Sequence, residues 1–217
     1  PLAAILDNPR SLTGDYLAGR RAIALPRDRR KPGDRKLVLR DCHEHNLRHI
    51  DLHLPNQMVR SYSLLNPSGE QGRYVVAVLK DRASRGGSRC VHEQLRVGMQ
   101  LQISPPRNNF HLHEEAQHSV LVAGGIGVTP LLCMARRLKQ LGRSFEVLYF
   151  ARSRTSAAFV ADIEALGAPV TWHFDAEKGG PPDLRALLAA RPAKAGTHYY
   201  ACGPAVMLDS FEKNCAE

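Results

Sequence analysis

The chain has 217 residues, a formal net charge of +9 at pH 7 and a hydrophobic fraction of 43%. It contains no run of about 18 apolar residues, so we expect no membrane span, and the N-terminus lacks the pattern of a secretion signal. The cysteines are odd in number and widely spaced, which argues against a disulfide framework, and no Cys-x-x-Cys pair indicates a zinc or iron–sulfur site. We therefore expect a cytoplasmic protein with reduced thiols. Its basic surface suits either nucleic acid or anionic cofactors and acidic redox partners.

Residues 1–48 are rich in arginine, aspartate and proline and show no strong strand pattern. We expect an irregular segment there, with Arg27–Lys36 as a solvated linker. The stretch Leu37–Pro55 favours two short strands about a turn near His45 and Asn46. Histidines are frequent in this stretch, but no second group of ligands completes a site, so we predict no metal.

Residues 58–117 are predicted to form antiparallel strands. Val59–Asn66 and Arg73–Asp81 are predicted as partners, and the second strand places Val76, Val78 and Lys80 on one face and Val75, Ala77 and Leu79 on the other. Glycine and proline clusters mark the turns between strands. The shorter predicted elements are a glycine turn at Ser84–Ser88, a helix at Val91–Leu95, a strand at Met99–Pro106 and a polar connection at Asn108–Gln117.

Residues 117–217 alternate strictly between strands and helices. Val120–Ala123 is a continuous apolar run, as in a strand that is covered on both faces. Leu131–Leu138 repeats its apolar residues at helical spacing. The alternation predicts an α/β domain, a parallel sheet with helices on both faces. The predicted strands lie near residues 119–123, 145–150, 170–174 and 198–202, and the predicted helices near 130–141, 157–166, 183–190 and 204–216.

The turn between the first of these strands and its helix is GGIGVTP, Gly124–Pro130. We predict Thr129 as the helix N-cap and Pro130 as the first helical residue. The glycines at 125 and 127 let a ligand approach the backbone, and the N-terminus of the helix suits a phosphate. The alternative is a tight strand-to-helix turn that binds nothing.

GGIGVTP has the spacing Gly-x-Gly-x-x-Pro, and RSYS at Arg60–Ser63 precedes it while YACGP at Tyr200–Pro204 follows it. Together these motifs resemble the ferredoxin–NADP reductase superfamily. With VAVLKDRASRGGS and PPRNNF included, Ile50–Glu217 is similar to the phthalate dioxygenase reductase and vanillate demethylase reductase group. The resemblance implies an incomplete antiparallel β-barrel that binds FMN over residues 49–116 and an NAD(P)-binding domain over residues 117–217.

The resemblance also implies an activity. Members of this group carry FMN, take hydride from NADH and pass single electrons to a plant-type [2Fe–2S] domain, which feeds a Rieske-type oxygenase. We expect this chain to be an NADH-dependent flavin oxidoreductase, with NADPH as the alternative nucleotide. The group's first barrel strands and its [2Fe–2S] domain are expected to be absent from this chain, which would impair its electron transfer.

The predicted flavin contacts begin with RSYS. Arg60 offers a guanidinium that can pair with a flavin phosphate, and Tyr62 can pack its ring on the isoalloxazine. Ser63 can bond flavin N5, the atom that receives hydride. The alternatives are a surface arginine and a tyrosine of the strand core. Gly86, Gly87 and Ser88 can form an anion-binding turn of backbone amides and a hydroxyl, which the family uses for the FMN phosphate; the alternative is a hairpin tip. Lys80 can contact the isoalloxazine or ribityl chain; the alternative is an exposed surface lysine.

The predicted nucleotide contacts fall at the ends of the parallel strands. Arg152 and Ser153 follow the second strand, where an arginine can accept a 2′-phosphate. Asp175 follows the third strand and either contacts the adenosine half or caps the strand end. Cys202 ends the last strand, where the family places a cysteine near nicotinamide C4; the alternative is a small buried hydrophobe. The expected nucleotide-binding residues are Gly125, Gly127, Thr129, Pro130, Arg152, Ser153, Asp175, Cys202, Gly203 and Pro204, and Ser63 and Cys202 are predicted as catalytic.

A second resemblance covers residues 1–55. NPRSLTGDYLAGRRAI at Asn8–Ile23 and EHNLRHIDLHLP at Glu44–Pro55 are similar to the UvrA excinuclease family, an ABC-type ATPase of DNA repair. The ATP-binding loop Gly-x-x-x-x-Gly-Lys-Ser/Thr does not occur in the sequence, so we expect a remnant and linker over residues 1–48 without ATPase activity. The alternative function is a DNA-binding fragment of a UvrA-like protein, fused to the reductase part within His49–Pro55.

Overall fold

In a computed structural model of the chain, the described residues are 18, 20, 49–67, 69–70, 72–191 and 194–215. Predictions for the other residues, including nearly all of the segment 1–48, lie outside this part of the chain. The described helices and strands belong to one compact unit that begins at His43. Among the described residues, no helix is both long and apolar enough to cross a membrane.

The first part of this unit is an antiparallel sheet of β1 (His49–His53), β2 (Val59–Ser63) and β3 (Gln102–Ile103), in the order β2-β1-β3. The buried apolar residues of β1 alternate with polar ones, as expected of a strand with one covered face. Strand β3 is much shorter than the predicted Met99–Pro106. Pro105 and Pro106, at the end of the predicted strand, have no N–H to donate to a neighbouring strand, and pairing with β1 resumes only at Arg107, which bridges His49.

Helix α1 spans Gly87–Glu93. Its Cys90 is buried against Leu52 of β1, and this contact joins the helix to the sheet. The helix begins earlier than the predicted Val91–Leu95, because Gly86 makes the preceding turn alone with a φ of 105°. Only glycine adopts this backbone conformation readily.

The predicted strand Arg73–Asp81 does not form. One isolated bridge joins Leu64 to Val76 in the described part of this region. The ladder is not extended, because the side chain of Asn66 accepts the N–H of Val75 at 2.7 Å. A main-chain donor that bonds a side chain in this way is lost to a neighbouring strand.

The second part of the unit is a parallel sheet with helices on both faces, as predicted. Its strands are β4 (His118–Gly124), β5 (Ser144–Ala151), β6 (Val170–Phe174) and β7 (Thr197–Cys202), in the order β6-β5-β4-β7. Its helices are α2 (Val128–Gln140), α3 (Val160–Glu164), α4 (Asp175–Lys178), α5 (Leu184–Ala189) and α6 (Ala205–Cys215), with 3₁₀ turns at Gly125–Gly127 and Arg154–Ser156.

Strand β4 lies inside the sheet and separates two apolar cores. Leu121 packs in one core with Leu131 of α2, and Val122 packs in the other with Leu184 of α5 and Phe211 of α6. Successive strand residues point to opposite faces. Because both faces are covered, the strand has the continuous apolar run from which it was predicted.

Within the parallel half, helix α3 differs most from the prediction, because it is shorter than the predicted helix over residues 157–166. The hydroxyl of Tyr149 bonds the main chain of Ala158, at 2.9 Å from its N and 3.0 Å from its O. Phe159 then takes a φ of 59°, in the left-handed region that seldom occurs in non-glycine residues. These contacts fix a turn before the helix starts. The short helix α4 was not predicted.

Candidate functional site

The glycine turn after β4 touches the turn after β7. A Cβ atom at Gly127 would lie 2.5 Å from the carbonyl carbon of Cys202 and 2.7 Å from the nitrogen of Gly203, and closer still to the Cys202 carbonyl oxygen. A Cβ atom at Gly124 would lie 2.8 Å from Cδ of Pro204. Both glycines are therefore required for close backbone packing. The motifs GGIGVTP and ACGP, far apart in the chain, form one wall.

This wall lies where the order of the strands reverses. Strand β5 pairs with β4 on one side and β7 pairs with it on the other. The helices that follow β4 and β7 pack on opposite faces of the sheet, so the two connections diverge, and the edge between them is the candidate crevice. In open α/β sheets ligands bind in such a crevice.

Gly125 has a different role from its neighbours. Its φ is +53° and a Cβ atom there would meet nothing within 4 Å. Its carbonyl oxygen accepts a hydrogen bond from the Tyr149 hydroxyl at 3.2 Å. Since the first N–H groups of a helical turn lack acceptors within it, the turn Gly125–Gly127 presents main-chain donors beside open space. Sequence reasoning missed Tyr149, which has no signal beyond being an aromatic residue in a buried strand.

The cap of α2 differs from the prediction. The N-cap is Gly127, and Thr129 is the second residue of the helix. The Thr129 hydroxyl donates to the carbonyl of Ile126 at 3.1 Å, so it does not cap the helix. Pro130 is the third helical residue, still in the first turn where its missing N–H leaves no acceptor unsatisfied. The N-cap prediction was wrong because a 3₁₀ turn runs directly into the helix.

The residues predicted for the adenosine half gather at the adjacent strand ends. The Arg152 carbonyl accepts from the N–H of Ala176 at 2.9 Å, which joins the end of β5 to the start of α4. Asp175 opens that helix, and the Arg152 side chain is exposed. The Ser153 hydroxyl is occupied, because it caps the 3₁₀ turn by accepting from the N–H of Ser156 at 3.2 Å.

Cys202 is half-buried at the end of β7. Burial raises the pKa of its thiol, so the thiol is neutral at pH 7. A neutral thiol is a weak nucleophile. The residue can line the crevice as a small apolar surface, and no hydrogen bond in the described part of the chain joins its thiol to a base.

The flavin residues lie around β2 and the start of α1. A Cβ atom at Gly87 would lie 2.7 Å from Nε of Arg60, so the arginine side chain crosses the first residue of the helix. The N–H of Gly86 donates to the Ser84 hydroxyl at 3.1 Å. The hydroxyl of Ser88 accepts from the N–H of Asp81 at 3.2 Å. The guanidinium of Arg60 therefore lies beside a glycine turn, part of whose hydrogen-bonding capacity is already used inside the protein.

The other residues predicted to contact the flavin lie in different parts of the antiparallel half. Tyr62 is half-buried against Leu52, and burial raises the pKa of its hydroxyl. Ser63 ends β2 opposite His49. Lys80 is exposed, and its Nζ lies 2.8 Å from Oε1 of Glu93, at the far end of α1 from the glycine turn. The structure brings Arg60 to the glycine turn but gives Lys80 a different partner.

An antiparallel sheet followed by a parallel sheet, with a glycine turn where the strand order reverses, defines the ferredoxin–NADP reductase class of fold. Within it, the chain belongs to the family described as dimethylamine monooxygenase subunit DmmA-like, N-terminal domain, whose model matches residues 99–217.

Named relatives place the chain more finely. It is 51% identical over 162 residues to the vanillate O-demethylase oxidoreductase of Pseudomonas sp. (strain HR199 / DSM 7063), covering 72% of this chain and 50% of that protein. It is 46% identical over 167 residues to the phenoxybenzoate dioxygenase subunit beta of Ectopseudomonas oleovorans, covering 77% and 52%. The structure of phthalate dioxygenase reductase superposes with a TM-score of 0.72 at 34% identity, over 78% of this chain and 54% of that one. The chain spans about half the length of the curated relatives it matches.

These similarities confirm the predicted resemblance of Ile50–Glu217 to the oxygenase-reductase group. They give no support to the UvrA resemblance of residues 1–55 or to the DNA-binding alternative. Most of that segment lies outside the described residues, so the remnant and the fusion stay predictions.

Proposed function

We propose that this chain is a flavin-dependent oxidoreductase module that transfers hydride from NADH to FMN. The observation that carries the proposal is the joint wall of Gly124–Gly127 and Cys202–Pro204 at the reversal of strand order. The similarity to phthalate dioxygenase reductase supports it, because that protein is described as a modular structure for electron transfer from pyridine nucleotides to [2Fe–2S].

The described residues fit FMN. The guanidinium of Arg60, which donates to the Val59 carbonyl at 2.8 Å, lies against the turn at Gly86–Ser88. Its charge and the main chain of the turn suit a phosphate, and a Cβ atom at Gly87 would fill the space that the arginine uses. Tyr62 offers an aromatic face on the same strand. When bound, FMN supplies the chemistry, since it accepts a hydride and releases electrons singly.

The side chains have modest tasks in this proposal. Arg60 holds the phosphate, the Ser63 hydroxyl donates a hydrogen bond to N5 of the flavin, and Cys202 stays neutral and packs against the nicotinamide. Hydride transfer between two rings needs no general acid or base. It needs alignment and exclusion of water. The close packing of Gly127 against Cys202 and Gly203 fixes the position of the two turns relative to each other, which supports this alignment.

The choice of nucleotide rests on the adenosine end of the site. We propose NADH on the resemblance, with Asp175 near the ribose. The exposed Arg152 leaves NADPH as the alternative, because a guanidinium can pair with a 2′-phosphate. We further propose a Rieske-type aromatic oxygenase or demethylase as the electron-accepting partner and a cytoplasmic location.

The test is an anaerobic absorbance titration of the full chain with FMN, before and after NADH. We expect bound FMN that bleaches with NADH. Arg60→Met should weaken FMN binding about tenfold but leave riboflavin binding unchanged, because riboflavin has no phosphate. Arg89→Met, an exposed arginine of α1, is the matched control and should change neither. Free and unbleached FMN with the parent chain would refute the proposal.

A further inference from the structure

The backbone just after Ser63 is hydrogen-bonded by α2, a helix that packs on the parallel sheet. Leu64 and Leu65 are buried, at 5% and 6% exposure. The thiol of Cys133 donates to the Leu64 carbonyl at 2.9 Å. The guanidinium of Arg136 donates to the Leu65 carbonyl at 3.0 Å. Buried carbonyls need a partner, and here α2 supplies it for two successive residues.

The two donors share one face of α2. Residues three apart on a helix are neighbours, so Cys133 and Arg136 reach adjacent carbonyls without distorting the helix. The same helix begins at Val128, directly after the turn Gly125–Gly127. Helix α2 therefore carries the turn Gly125–Gly127 at its N-terminus and, at its middle, bonds the backbone that follows β2.

The surroundings of Cys133 and Arg136 support their hydrogen bonds to the two carbonyls. Burial raises the pKa of the Cys133 thiol to about 11, so at neutral pH the thiol keeps the proton that it donates. Arg136 is anchored on its other side by Asp162, whose Oδ1 lies 2.6 Å from the guanidinium. The Leu65 N–H also donates to the carbonyl of Val75 at 2.8 Å, so these hydrogen bonds connect α2 to the segment around Val75 as well.

We infer that Cys133 and Arg136 are positioning residues that fix the end of β2, with its predicted flavin contacts, relative to the predicted nucleotide-binding turn Gly125–Gly127. This inference rests on the proposed function. Hydride transfer demands close alignment of the two rings, and a displacement of about 1 Å slows such a reaction about a hundredfold. Neither residue needs to touch a cofactor to have this effect.

The first readout needs no cofactor. Hydrogen exchange of the FMN-free chain should show faster exchange of the Leu65 amide in Arg136→Met than in the parent, while the amides of β4 are unchanged. Arg137→Met is the matched control. It removes the next arginine of α2, which bonds Glu114 at 2.8 and 2.9 Å. This control should leave the Leu65 amide unaltered.

The second readout separates positioning from binding. With FMN bound and NADH saturating, Arg136→Met should slow FMN reduction about tenfold, with the FMN Kd and the KM for NADH within about twofold of the parent. Arg137→Met should match the parent. Cys133→Ser retains a donor to the Leu64 carbonyl and should reduce FMN faster than Cys133→Ala.

Equal reduction rates in Arg136→Met and Arg137→Met would overturn the inference. So would a loss of FMN affinity in Arg136→Met as large as the loss of rate, which would indicate a structural role alone. Failure of the proposed function is visible separately, because it appears in the parent chain as absent FMN binding or absent bleaching, and the inference falls with it.

Discussion

Replacing Gly127 by alanine tests the contact between the two glycine turns. The backbone of Gly127 is ordinary, with φ −61° and ψ −8°, so alanine carries no conformational penalty there. The added Cβ atom would lie 2.5 Å from the carbonyl carbon of Cys202. Carbon atoms pack at about 3.5–4.0 Å, so the two turns must separate by about 1 Å. Overpacking of this kind costs about 1–3 kcal/mol of unfolding free energy.

The matched control is Gly142→Ala at the other end of α2. Gly142 has a φ of +65° and open space around its missing Cβ atom. Alanine there pays only for the left-handed backbone, about 1–2 kcal/mol. The two variants should thus lose similar stability for different reasons. Only Gly127→Ala should displace the wall of the crevice.

Urea denaturation measures the stability of both variants, and isothermal calorimetry measures NADH binding at a temperature where both remain folded. We expect Gly127→Ala to weaken NADH binding about tenfold, in line with a displacement of about 1 Å in a preformed site, and Gly142→Ala to leave it within about twofold. If Gly127→Ala retains the stability and the NADH affinity of the parent, the turns do not pack as described and the reasoning fails.

Other predictions concern the folded state itself. Ser119 is the buried residue whose hydroxyl has no partner among the described residues, so Ser119→Ala should raise the unfolding free energy by about 1 kcal/mol in urea; a loss would reveal a hidden partner. The pKa of Cys133 rises from 9.0 to about 11 on folding. The folded chain therefore holds this proton more tightly, and the unfolding free energy falls as pH rises from about 9 to about 11. Cys133→Ser should remove about 3 kcal/mol of this fall, so its stability should depend less on pH than that of the parent. Arg191→Met breaks a bond of 2.8 Å to Glu146 between side chains only 20% and 18% exposed, and should cost about 2 kcal/mol in thermal unfolding. The exposed Arg143→Met should cost less than about 0.5 kcal/mol, and equal losses would contradict the role of burial.

The parallel half of the fold was predictable because its strands are covered on both faces. A strand such as β4 must be apolar at every position, and glycine and proline mark where it ends. The predicted strand at 119–123 and the observed His118–Gly124 differ only at their ends. The presence of helices on both faces of the sheet follows from the same alternation of strands and helices.

The antiparallel half was less predictable, because contacts distant in sequence decide it. Arg73–Asp81 has the valine-rich apolar run of a strand, yet the Asn66 side chain accepts the Val75 N–H that a strand ladder needs. Arg136, from a helix of the other sheet, takes the Leu65 carbonyl. Lys80 likewise pairs with Glu93 on a helix whose start was misplaced. No local pattern indicates which side chain will bond which main-chain group.

In the candidate site too, some residues are explained by the local sequence and others only by contacts that are distant in sequence. The sequence presents the glycines of GGIGVTP as equivalent, but their physical reasons differ. Gly125 is required for its left-handed backbone and has space for a side chain, so asparagine, which tolerates that conformation, is acceptable there. Gly127 is required because Cys202 leaves no room for any side chain. The first requirement is local and belongs to the turn itself. The second arises only when β7 pairs beside β4, and this is why the motif predicts a phosphate-binding turn while the fold alone explains how its position is fixed.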